Sequence, residues 1–171
     1  MILVPEAWIK LPDAAHEGLL LAWGGNGGID FPVVFSTYNV SPEEVTISTP
    51  QEFTVIAEGI SDVAVFADEA TYQKERSTSF ASESYVPCGA FAPGSDDSAA
   101  PEPIAFINGR VTEVYDDPAS LGFASDDILL GMLTLGCDFD VVLHGDSTGR
   151  PIEVGNILSG RFLLQGWPSE E

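Results

Sequence analysis

Residues 137–146, CDFDVVLHGD, hold the most pointed cluster of side chains able to do chemistry. In an extended chain successive side chains alternate between faces, so Asp138, Asp140 and His144 project to one side. Two carboxylates and an imidazole can hold a divalent cation, and Asp146 would add a further oxygen. The competing account is a half-buried antiparallel strand, with Phe139, Val141 and Leu143 in the core and the acids in solvent. The spacing follows no established metal motif, and Val142 interrupts the polar face. The strand account is therefore favoured, and Asp138, Asp140 and His144 are kept as the candidate metal ligands.

Other chemistry has less to stand on. A nucleophilic triad needs a base beside the nucleophile and a third group to orient it. The histidines are His16 and His144, and no G-x-S-x-G occurs. Ser159 lies within an expected strand. Paired carboxylates for glycoside chemistry gain nothing from an abundance of acids. Cys88 and Cys137 form no C-x-x-C, so zinc-knuckle and thioredoxin-like motifs are absent. Free buried thiols are expected over a disulfide. Residues 24–28, GGNGG, are followed by a β-type run with Pro32 and by no Gly-Lys-Ser/Thr, which favours a hairpin over a phosphate loop. No catalytic residue and no cofactor is assigned, and the protein is expected not to be an enzyme.

The charge balance excludes more than the motifs do. The 171 residues carry 27 Asp and Glu against 6 Lys and Arg, a formal net charge of −21. Nucleic acid is polyanionic and calls for a basic stripe, which Lys10, Lys74, Arg76, Arg110, Arg150 and Arg161 do not form. Anionic membrane surfaces are disfavoured on the same ground. A basic protein or a cation would be attracted. Acidity also raises solubility or reflects the source organism, and charge alone does not separate these accounts. The start, MILVPEAWIK, lacks the basic opening and long apolar core of a signal peptide, and no apolar run is long enough to span a bilayer. A cytoplasmic protein is expected.

These residues must be positioned by β structure. Residues 1–11 read as an edge strand or a short helical turn after Pro5, and 18–23 with 29–39 as a hairpin. Short strands are expected at 45–48, 53–58 and 62–66. A helix is expected at 68–76, acidic in its first turn and basic in its last. Residues 93–103, PGSDDSAAPEP, form a linker or a long loop, dividing a β-rich region over 1–92 from a β domain over 104–167 and a tail over 168–171. In that second part 104–115, 128–135, 139–143 and 152–165 read as strands, with Gly155, Gly160 and Gly166 supplying bends. The fold class is mainly β, between all-β and α+β, with antiparallel strands and one short helix.

Ile107-Asn108-Gly109-Arg110-Val111 and the segment from Gly155 to Phe162 give residues 104–167 a pattern that resembles an OB-fold, a small barrel closed by a late glycine-flanked strand. The pattern is also similar to that of small acidic bacterial proteins of unassigned function. OB-folds that bind oligonucleotides interleave aromatic and basic side chains. Here Phe106 and Arg110 share a face, but Arg110 and Arg161 are the only basic residues in these strands, so the resemblance implies a fold and not nucleic-acid binding. The leading expectation is a non-enzymatic binding protein, an inhibitor or immunity-type protein for a basic partner. The alternatives are a metal-binding protein or metal-dependent enzyme using the 138–146 cluster, and a structural subunit without a small ligand. The oligomeric state is not legible.

Overall fold

The structure, a computed structural model, describes residues 1–10, 17–25, 30–38, 40–76, 81–88, 101–145 and 148–169. Among these the chain is mainly β, as its alternating apolar pattern requires. The strands are β1 (Ile2–Lys10), β2 (Glu17–Gly25), β3 (Asp30–Tyr38), β4 (Gln51–Phe66), β5 (Ser84–Cys88), β6 (Ile104–Val114), β7 (Ile128–Thr134), β8 (Cys137–Leu143) and β9 (Ile157–Pro168). One helix, α1 (Glu69–Glu75), is present among the described residues. Its N-cap is Asp68, whose carboxylate accepts from the Thr71 amide at 2.7 Å. No helix among the described residues is long and apolar enough to cross a membrane.

The centre of the molecule is the antiparallel ladder of β4 and β9, in register from Phe53 opposite Pro168 to Phe66 opposite Ile157. Both strands are long, and each takes different neighbours along its length. Toward one end, β8 lies parallel to β4 at Ile56–Glu58, and β6 pairs with β9 from Ile104 opposite Leu163 to Arg110 opposite Ile157. β7 joins β6 to β8, so β4, β8, β7, β6 and β9 close a circuit. Toward the other end, β1 pairs with β4 through Ile2 opposite Glu52, and β3 meets β9 at Ser36 opposite Gln165. β2 joins β1 to β3, and a second circuit closes on the same ladder. The fold is thus barrel-like, with two rings sharing one wall. Closure removes most of the open strand edges that favour aggregation.

One core runs through both rings. Leu3, Leu20, Phe31, Phe35 and Phe53 belong to it at one end, Ile107, Leu130, Met132, Phe139 and Phe162 at the other. Tyr85 of β5 lies between them, 5.1 Å from the Phe31 ring and stacked on Phe139 at 6.4 Å. Burial pushes its pKa far above the ordinary phenol value. A smaller cluster of Phe66, Tyr72 and Ile157 seats α1 on the outside of the ladder. Arg110 reinforces it with ion pairs to Glu69 (3.7 Å) and Glu83 (3.4 Å).

Several elements differ from the sequence reading. Residues 53–58 and 62–66 are one strand, not two; the register shifts near Gly59 and Ser61 let the strand bend without ending. Residues 45–48 are not a strand: Val45 caps a 3-10 turn and Ser48 adopts a positive φ of 62°. β9 begins at Ile157, not at 152, because Gly155 turns the chain with φ 93° and its amide bonds the Val111 carbonyl at 2.8 Å. Val154, within the expected strand, is therefore 65% exposed. Most of the 93–103 segment, and the GGNGG turn from 26 onward, lie outside the described residues. Strands on both sides of 93–103 belong to one sheet.

Candidate functional site

The acids of β8 open into a cleft of about 280 Å³ between β4, β6 and β8. Its polar lining includes Glu52, Thr54, Glu113, Tyr115, Asp138 and Asp140, with the Met1 terminus beside them, and among the described residues no lysine or arginine lines it. The register explains how acids from three strands meet. Gly131 of β7 stands opposite Glu113 on one side and Asp140 on the other. A side chain there would begin 2.9 Å from the Thr112 hydroxyl and 3.5 Å from Glu113 Cβ. Glycine at this position leaves Glu113 and Asp140 facing each other across the strand.

Tyr115 uses that opening. Its phenol lies among the carboxylates of Asp140 and Glu113. Burial raises the phenol pKa, and the two carboxylates raise it further. The Asp140 carboxyl is also pushed up, mainly by burial, with Tyr115 and the Met1 ammonium opposing. Asp138 is exposed at the rim.

His144 does not join them. It follows β8 on the same face, but Nδ1 lies 2.7 Å from Asp127 Oδ1 and Nε2 lies 2.9 Å from Glu58 Oε1. Glu58 comes from β4 and accepts a second bond from Gln165 Nε2 of β9 at 2.8 Å. Asp127 ends the connection between β6 and β7 and accepts the Ala124 amide at 3.0 Å. The bond to Asp127, and then that to Glu58, raises the His144 pKa above the ordinary imidazole value. The same bond to His144 lowers the Asp127 pKa.

The sequence-derived trio is thus divided. Asp138 and Asp140 line the cleft, while both ring nitrogens of His144 are engaged elsewhere. Asp146 lies outside the described residues, as does His16. Among the described residues no group of three or more His, Cys, Asp or Glu side chains is arranged to hold a metal ion. Glu52, Glu58, Glu113, Tyr115 and Asp127 were not singled out from the sequence, because register alone brings them together. A glycine inside the apolar run ILLGMLT was the one local signal of a close approach there. Cys88 and Cys137 are free thiols, each partly buried, and burial raises the pKa of Cys137. Comparison with protein-family models, curated proteins and solved structures finds no match to this chain.

Proposed function

We propose that the protein is a non-enzymatic binding protein whose acidic cleft receives a lysine or arginine side chain of a basic protein partner, as an inhibitor or immunity-type protein would. The observation that carries this reading is the convergence of Glu52, Glu113, Asp138 and Asp140 on a cleft that, among the described residues, no lysine or arginine lines. A half-buried carboxylate that costs energy to ionise in the free protein gains when a cation enters. The charge of the whole chain, −21, steers a basic partner toward it. The OB-like expectation for 104–167 is part of the proposal. The closed circuit of β4 with β6 to β9 supports it, with β4 supplied from outside that range. No specific observation favours the metal-dependent or structural-subunit alternatives.

The test is affinity capture from lysate of the source organism with washes of increasing salt. A basic protein retained at about 50 mM salt and released by about 500 mM salt is expected. Its affinity for a Glu113→Gln, Asp138→Asn double variant should fall by about tenfold or more. A partner held equally well by the variant removes the cleft from the interface. Failure to retain any basic protein removes the partner reading itself.

A further inference from the structure

The Glu58–His144–Asp127 bridge has a protonation requirement of its own, separate from the cleft. Neutral imidazole has one N–H and one bare lone pair. With a carboxylate oxygen at 2.7 Å from one nitrogen and 2.9 Å from the other, the neutral ring would set its lone pair against an anion. Only the imidazolium donates to both. Among the described residues the charged groups facing the ring are Glu58 of β4 and Asp127 of the β6–β7 connection. The Asp127 side chain is 8% exposed and the imidazole 54% exposed, so the ring covers the carboxylate and still reaches solvent protons.

The bridge stands at the end of the β7–β8 ladder, one residue beyond the Ile128–Leu143 pair, and beside the β4–β8 pair of Glu58 and Val142. The connection over 115–127 is fastened at its start by the Tyr115 amide on the Leu129 carbonyl at 2.9 Å. Near its end, residues 124–127 form a tight turn: the Asp127 amide donates to the Ala124 carbonyl at 3.1 Å and the Ala124 amide to Asp127 Oδ2 at 3.0 Å. His144 ties that turn, through Glu58 and Gln165, to the β4–β9 wall.

We propose that this bridge is a pH-sensitive fastener: doubly protonated His144 holds the turn at Ala124–Asp127 against β4, and loss of one proton releases that turn. The sign follows from the direction of the shift. A histidine whose pKa is raised on folding adds stability that is full below the unfolded value of about 6.5 and is lost as pH rises through the higher folded value. The raised value moves the opening to a higher pH than an ordinary imidazole would give.

Amide hydrogen exchange measured by NMR on the full chain tests this, with rates corrected for intrinsic pH dependence. The Ala124 amide reports the fastener, and the Tyr115 amide serves as the internal control. Exchange at Ala124 should speed up by about tenfold as pH rises through the His144 titration, while Tyr115 stays protected. In His144→Gln, which has no titrating proton, Ala124 should exchange at a rate that does not change with pH. This variant also separates the effect from His16, the other histidine of the chain. If His144→Gln does not fold, Asp127→Asn replaces it, and the pH response of the turn should be lost there too. Ala124 exchange that ignores pH in the wild type, or a pH response unchanged in a folded variant, overturns the proposal. Neither result bears on whether the cleft binds a basic partner.

Discussion

Asp140 holds its charge where water reaches it only in part, against Tyr115 and beside Glu113. A carboxyl whose pKa is raised on folding opposes stability wherever it is ionised in both states. Asp140→Asn should therefore raise Tm at pH 7 by about 1–3 °C, a small effect because the group is half exposed. The gain should vanish below about pH 3, where the unfolded carboxyl is also protonated. Thermal unfolding at the two pH values checks both halves. The sequence made Asp138 and Asp140 visible, because alternation puts them on one face of an obvious strand. It hid their neighbours. Glu113 reaches Asp140 across Gly131, and Glu58 reaches His144 over 86 residues of chain, so neither pair has any local spacing to read.

At the scale of elements, β9 shows what local pattern can and cannot tell. Its alternation of Leu158, Phe162 and Leu164 into the core was legible, and so were Gly160 and Gly166 as departures from an ordinary strand. The reason for the glycines was not. A Cβ on Gly160 would lie 2.9 Å from Val63 Cα, on the β4 backbone itself. A Cβ on Gly166 would lie 2.7 Å from the Phe35 ring and 3.0 Å from the Thr54 carbonyl. Backbone cannot move aside as a rotamer can. Gly160→Ala should destabilise by about 1–3 kcal/mol, read from the midpoint of urea unfolding. The Gly59–Ser61 irregularity misled the sequence reading in the opposite way. A glycine with a neighbouring acid looks like a break between strands, whereas here the bulge bends one long strand around the core. The helix was legible because its signals are local: an aspartate N-cap, an acid in the first turn and a lysine in the last.

At the scale of the molecule, the excess of negative charge works against compaction. Screening that self-repulsion should raise Tm by a few degrees between about 20 mM and 500 mM sodium chloride, the same change that weakens a basic partner's hold. Differential scanning calorimetry across that range checks it, and a Tm that falls with salt would contradict it. The two rings were not legible as such, because no stretch of sequence states that β4 and β9, about a hundred residues apart, are partners. That shared wall also has a kinetic meaning. The β1–β2 and β7–β8 hairpins bring near neighbours together and can form early, but neither ring closes before β9 has docked on β4. Closing so long a loop is slow, and it rewards both halves at once. The chain is thereby expected to fold through one late, rate-limiting docking step. The two ends of the molecule then melt together in a single transition, and neither survives as an intermediate without the other.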